Sequence, residues 1–167
     1  MRKKQTPKRK AENELIKQWE IPKRSLLRYD SNVHKGIFWY WFARAVRKRD
    51  FEKYGTCISC GKPVDSIEEL QAGHYAPASS CGFALLFDDM NVNGECGRCN
   101  GLDEGHLIGY ENGLRMRYGN KATDALKERY YKRHQNLMQE WTRNEYLEKA
   151  RKYKDYFFLN GGSYPQE

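Results

Sequence analysis

No apolar run in this chain approaches the roughly 20 residues that a membrane span requires. The opening MRKKQTPKRK passes into polar sequence where a secretory leader would carry an apolar stretch. These two absences argue against a membrane-embedded or secreted protein and lead to the expectation of a cytoplasmic or nucleoid-associated one. Internal repeats are missing too, as is low-complexity sequence beyond the first ten residues. Cysteine is sparse, at five in 167 residues. With 39% apolar residues the chain can build one modest core, so a single domain with helical extensions is expected.

What is present is charge, and it is unevenly spread. The formal net charge is +8, yet residues 1–55 hold sixteen Lys and Arg against six Asp and Glu, whereas the rest hold fourteen against sixteen. The basic excess therefore lies in the first third. Such a block attracts polyanions through counterion release, which points to nucleic acid, with a solubilising tail or targeting peptide as the plain alternative. Aromatic residues favour the former. In IFWYWFARAVRKRD, Trp39, Tyr40, Trp41 and Phe42 precede Arg44, Arg47, Lys48 and Arg49. As a helix this gives an apolar anchor with a basic end, the aromatics mostly core and the four cations, with Arg98, available for DNA phosphates.

The coarse pattern is helix, compact knuckle, helix. Residues 11–20 read as a short helix ended by Pro22, and residues 37–53 as a longer one ended near Gly55. Between about 55 and 110 Gly, Asn, Asp and Cys become frequent, and EELQAGHYAP and CGFALLF suggest brief strands joined by turns. Residues 121–156 read as helical again, with Ala125, Leu126, Tyr130, Leu137, Met138 and Trp141 spaced to bury a stripe, and GGSYPQE reads as a frayed tail.

The most specific local signal is Cys57-Ile-Ser-Cys60-Gly and Cys96-Gly-Arg-Cys99-Asn, two CxxC knuckles separated by 35 residues. Four thiolates from two such turns can surround a structural Zn²⁺ tetrahedrally, and glycine after Cys60 suits a tight turn. Disulfides compete, but nothing marks the chain as secreted. Cys81 has no CxxC partner and reads as a half-buried free thiol.

Between the knuckles stand Gly73-His74-Tyr75, then Asp88-Asp89-Met90-Asn91-Val92, and Asn100 follows the last knuckle cysteine. This order resembles HNH nucleases with the ββα-metal finger, so the resemblance implies an α+β fold: a small zinc-stapled finger flanked by N- and C-terminal helices. Phosphodiester hydrolysis needs an activated water and positive charge on the phosphoryl oxygens. A neutral histidine can take the proton if its other ring nitrogen is held by an acceptor. The resemblance implies His74 as general base, Asn91 as the residue that orients its loop, and Asn100 as an oxygen ligand of a catalytic Mg²⁺ or Mn²⁺. On the plain reading His74 is a satisfied structural residue, and both asparagines are turn or cap residues. Many HNH enzymes carry a metal ligand immediately before the catalytic histidine, where this chain has Gly73. Glu104, His106, Asp88 and Asp89 are candidate replacements, with His106 preferred. His34 and His134 are given no role.

A closer resemblance rests on FARAVRKRDFEKYGTCISCGK, QAGHYAP, FDDMNVNGECGRCN and HLIGYENGLRMRYG. Together these are similar to the phage recombination protein NinG (Rap) family over roughly residues 38–156. The resemblance implies a structure-selective endonuclease acting on branched DNA such as Holliday junctions or D-loops, in the host cytoplasm if phage-encoded. On this view residues 1–36 are a basic extension, 37–156 the nuclease domain and 157–167 a tail, and a homodimer through the C-terminal helices suits two-site cutting. The alternatives are an HNH nuclease of duplex DNA, of restriction, homing or packaging type, and a zinc-stapled DNA-binding module that cuts nothing.

Overall fold

The computed structural model describes residues 5–29, 31–101, 107–135, 138–159 and 164–165. Thr6 caps the first helix, α1 (Pro7–Gln18), accepting from the Arg9 amide, and proline at the first helical position costs no hydrogen bond. The central helix α2 (Val33–Tyr54) starts where the Asn32 side chain accepts from the amides of His34 and Lys35. It stops at Gly55, whose φ of 61° is left-handed. Around α2 are β1 (Leu70–His74), the short turn α3 (Phe83–Leu86), β2 (Val92–Cys96) and the short turn α4 (Gly97–Asn100). Then come α5 (Leu107–Tyr118), α6 (Asn120–Tyr131) and α7 (Arg143–Phe158), the last opened by a Thr142/Glu145 capping box. The architecture is α+β: helices around one two-stranded antiparallel sheet. Among the described residues no helix is long and apolar enough to cross a membrane.

The aromatic run of α2 is interior, as its composition predicts. Trp39, Tyr40, Trp41 and Phe42 are all buried, because α2 is covered by α7 on one side and by the β ribbon on another. Phe38 meets Phe87 edge to face at 4.9 Å and Trp141 at 5.1 Å. Ile16, Trp19, Ile21 and Leu27 join the same core, so the described part of the basic extension is packed down on the domain.

Several local expectations are corrected. CGFALLF is no strand: Phe83–Leu86 is a helical turn, and Leu85 and Leu86 feed the core as a loop would. The second strand lies instead in Val92–Cys96. The helical stretch 121–156 is two helices with a break, and its stripe holds in part: Leu126 is buried and Tyr130 and Trp141 pack against the core, while Ala125 and Met138 are exposed; Leu137 lies outside the described residues. The terminal segment is not wholly a frayed tail. Tyr164 packs against Tyr153 and Tyr156, lies 4.9 Å from the Arg49 guanidinium and donates to Asp89 Oδ1 at 2.5 Å.

A buried carboxylate fixes the ribbon to α2. Asp50, with no exposed surface, accepts from the Gly94 amide at 2.6 Å, from Arg49 at 2.7 Å and from Arg117 at 3.0 Å. Asp50→Ala is expected to destabilise the fold by about 3–5 kcal/mol, because it takes the counter-charge from the interior Arg117 and leaves Arg49 only the Asp89 carboxylate at 3.9 Å. Urea unfolding checks this, and a loss under about 1 kcal/mol, the value of a surface pair, would contradict it.

Candidate functional site

The two CxxC turns converge. The sulfurs of Cys57, Cys60, Cys96 and Cys99 all lie within 4.8 Å of one another, the one such group among the described residues. The Cys60 and Cys96 sulfurs are 4.0 Å apart, and the Cys96 amide donates to Cys57 Sγ at 3.3 Å. Burial and the neighbouring sulfurs push the Cys99 thiol well above its ordinary range. Four crowded sulfurs resist becoming thiolates together unless a cation sits among them. The set therefore fits a tetrahedral metal ion such as zinc. Cys81 stands apart from this group, buried and free, its thiol 3.5 Å from the Gly82 carbonyl.

Helix α5 bears directly on the first knuckle. A β carbon at Gly113 would fall 2.0 Å from the Ile58 carbonyl, and one at Gly109 would fall 2.3 Å from that of Ser59. Only glycine allows this approach. Between them Tyr110, fully buried, donates to the Gly73 carbonyl at 2.9 Å, so the knuckle, α5 and the end of β1 form one packed unit.

The ribbon pairs Leu70 with Cys96, Gln71 with Glu95, Ala72 with Gly94, Gly73 with Asn93 and His74 with Val92. Alternation therefore gives it two distinct faces. His74 leaves on the α2 face. Its ring stacks on Trp39 at 5.2 Å, and Nε2 lies 2.8 Å from the Leu86 carbonyl. A carbonyl only accepts, so Nε2 carries the proton and Nδ1 keeps the lone pair. Burial pulls the imidazole down from 6.5 to about 4; the positive charge of Arg28 works in the same direction and the Leu86 carbonyl against it. The half-buried ring is therefore neutral at pH 7.

Asn91 is wholly buried and closes the loop that carries Leu86. It accepts from the Ala76 amide at 2.7 Å and donates to the carbonyls of Ala76 and Leu85 at 3.2 and 2.9 Å. Asn100 lies on the opposite face, at the end of α4 and not at the start of a long helix. Its amide nitrogen donates to Gln71 Oε1 at 2.7 Å, and its Oδ1 points into the space above Gly73. The structure thus joins His74 and Asn91 through one loop but does not set His74 against Asn100.

Of the alternative ligands, Glu104 and His106 lie outside the described residues. Asp88 is committed to the Met90 and Asn91 amides and to Arg129, and Asp89 to Tyr164 and Arg49. Sequence reasoning passed over Glu95, a fully buried carboxylate on the Asn100 face that accepts from Ser59 at 2.5 Å. It also passed over Arg28, an exposed guanidinium 5.3 Å from the Trp39 ring on which His74 stacks. An acidic residue directly before a knuckle cysteine in a strand was the one available hint of the former.

Two of the expected DNA contacts are spent inside the protein. Lys48 is 4% exposed and donates to the carbonyls of Tyr156, Phe157 and Leu159, closing the C-terminal end of α7. Arg49 binds Asp50, the Asp89 and Val92 carbonyls and Asn93. Both sat on the α2 face that the tertiary fold covers, which composition alone does not reveal. Arg44 lies over the Tyr40 ring at 3.5 Å and Arg47 donates to the Ile67 carbonyl; both are half-buried, while Arg98 is exposed. Lys8, Arg9 and Lys10 are exposed on the first turns of α1.

Comparison with known proteins comes down on one family. The family model described as Bacteriophage Lambda NinG protein matches residues 1–157, so the family pattern includes the first 36 residues that the motif resemblance left out. Protein ninG of Salmonella phage P22 is 33% identical over 113 residues, 64% of this chain and 50% of that protein. Protein ninG of Escherichia phage 933W is 32% identical over 108 residues, 60% of this chain and 51% of that protein, and that of Escherichia phage lambda is 31% identical over the same length. The chain spans about half the length of these curated relatives. No solved structure matches. With its family pattern running through nearly the whole sequence, the chain belongs to the NinG family of bacteriophage proteins.

Proposed function

We propose that this chain is a metal-dependent DNA endonuclease of the HNH type that hydrolyses phosphodiester bonds in branched recombination intermediates. The observation that carries the reading is the His74 ring. Its Nε2 proton is fixed on the Leu86 carbonyl, which leaves Nδ1 as a basic nitrogen on a neutral imidazole. Asn91 holds the loop that supplies that carbonyl, as a residue orienting a base would.

In this reading Nδ1 takes the proton from the attacking water. Asn100 offers an amide oxygen to a hard divalent cation, Mg²⁺ or Mn²⁺, which when bound neutralises charge on the phosphoryl group. His74 and Asn100 act from opposite faces of the ribbon. The reading therefore requires the phosphodiester to pass round the edge of β1, which among the described residues pairs with no strand but β2. Arg28 stands beside His74 as a phosphate contact. Lys8, Arg9 and Lys10 crowd a helix end whose amides already carry partial positive charge, an arrangement that phosphate relieves. Such contacts read shape and not sequence, which suits a branch.

The test is cleavage by the purified protein with Mg²⁺ or Mn²⁺ on a four-way junction and on linear duplex of the same sequence. The junction should be cut at least roughly tenfold faster, equivalent to about 1.4 kcal/mol at the transition state. Equal rates would transfer the reading to a duplex nuclease, and binding without any cleavage would transfer it to a DNA-binding module.

A further inference from the structure

We infer that the tyrosine-lined cavity beside the end of β1 takes a nucleobase swung out of the DNA branch, with the basic end of α6 holding the phosphates next to it. The inference deepens the nuclease reading and rests on it for the presence of branched DNA. The cavity and its chemistry follow from the structure.

Tyr75, Pro77, Leu107, Lys127, Tyr130 and Tyr131 line a cavity of about 210 Å³. That is below the roughly 300 Å³ at which pockets begin to take drug-sized ligands, so it suits a single flat ring system. Tyr131 is 67% exposed, and its ring lies 6.1 Å from that of Tyr130 at a tilt of 38°. Neighbouring tyrosine rings open to solvent are a platform on which a base can stack whatever its identity. Arg133 lies over the Tyr130 ring at 4.4 Å, adding a guanidinium plane of the kind on which unstacked bases also rest.

The wall formed by Tyr75 is held at both ends. Its amide donates to the Asn91 carbonyl at 2.9 Å, and its hydroxyl donates to Glu111 Oε2 at 2.9 Å. Glu111 also accepts from Arg115 at 2.7 Å and from Lys127 at 2.9 Å. Both carboxylate oxygens are thus engaged by the protein's own donors, which leaves Glu111 little capacity for the edge of a base. The cavity therefore receives a ring without reading its sequence, as selection of a branch requires.

Placement and charge agree with this occupant. Tyr75 directly follows His74, so the cavity adjoins the residue to which the cleavage reading gives the general base. Residues 121–134 carry five Lys and Arg against two Asp and Glu, with Tyr130 and Tyr131 set among them, although acidic residues outnumber basic ones over residues 56–167. Lys132 holds Glu128 only as an exposed pair, which phosphate can replace at little cost. Swinging out a base costs least where pairing and stacking are already weakened, as at a branch, and most within a continuous duplex.

The experiment measures binding of the purified protein to a four-way junction and to linear duplex of the same sequence, with no Mg²⁺ or Mn²⁺ added so that neither is cut. Circular dichroism controls for folding. Tyr131→Ala should weaken junction binding by roughly 5- to 150-fold, the range for losing one stacked base, and leave duplex binding within about twofold. Tyr131→Trp should keep the native affinity. Stacking is not ionic, so Tyr131→Ala should leave the slope of log affinity against log salt unchanged, whereas Lys132→Ala should reduce that slope by about 1. An abasic residue placed at each branch position in turn should, at one of them, cost the native chain as much as Tyr131→Ala does and cost that variant nothing further. Native junction affinity in folded Tyr131→Ala, equal losses on junction and duplex, or additive losses at every abasic position overturns the inference. Cleavage that depends on His74 alongside any of these results would sink the base cavity alone. Junction binding that depends on Tyr131, with no cleavage once Mg²⁺ or Mn²⁺ is added, would sink the nuclease reading alone.

Discussion

His74→Ala is expected to lower DNA cleavage by roughly 10²- to 10⁴-fold, the usual contribution of a positioned general base, while leaving zinc content and junction affinity near native. Single-turnover cleavage and gel-shift titration on the same protein check this. Loss of both activities together would instead mark His74 as a structural residue. The pH dependence sharpens the prediction. The ring stays neutral down to about pH 4, so the acid limb of cleavage should fall well below pH 6.5, and rates at pH 8 and pH 6 should differ little on account of this group. The same shift has a consequence for stability. The folded chain holds the His74 proton less readily than the unfolded chain. Its stabilising contribution is therefore full above pH 6.5, shrinks as pH falls, and is gone below about 4. The stability difference between native protein and His74→Gln should narrow correspondingly between pH 7.5 and pH 4.5.

If the four cysteines hold zinc, as their clustering allows, its removal should have a larger effect, because binding to a structural thiolate site is itself folding free energy, on the order of 10 kcal/mol in small zinc domains. A strong chelator at neutral pH is expected to melt the β ribbon and the turns beside it, with loss of near-ultraviolet dichroism from the tyrosines around the site. The aromatic core around α2 and α7, of which none of the four cysteines is a member, should retain more of its helix signal. Cys96→Ser should reproduce the chelated state, and cobalt in place of zinc should give the absorption of a tetrahedral thiolate complex. A native-like ribbon after complete metal removal would show that Asp50, Tyr110 and the glycine contacts of α5 hold it unaided.

The parts legible in the sequence were those whose signal is local. The CxxC spacing located the sulfur cluster, because two short turns carrying two thiols each have few other ways to be satisfied. The aromatic density of residues 38–42 marked the interior helix. The limits of α2 followed from Gly55 at one end, but its Asn32 start was missed because Val33–Gly36 carries little apolar pattern. CGFALLF was read as extended on hydrophobicity alone, and a four-residue apolar run does not distinguish a turn of helix from a strand. Lys48 and Arg49 were assigned to DNA because charge is ordinarily solvated, whereas α7 and β2 bury both. Glu95 was invisible for the same reason: its meaning depends on the register that sets it opposite Gln71 and over Gly73, a relation between residues far apart in the chain. Helix α5 could not be delimited by periodicity, since the residues that press on the knuckle are glycines and carry no hydrophobic signature.

The ribbon's register carries a consequence for how such a site can change over generations. His74 faces α2 and Gly73 faces Asn100 only because of their odd and even places along β1. A single residue gained or lost within that strand would exchange the two, turning imidazole toward the cysteine knuckle and an empty glycine toward Trp39. Length variation is therefore tolerable in the excursion from Tyr75 to Asn91 only outside its two anchored ends, and within the strands only in pairs. Relatives that diverge freely elsewhere should preserve this parity even where they preserve little else.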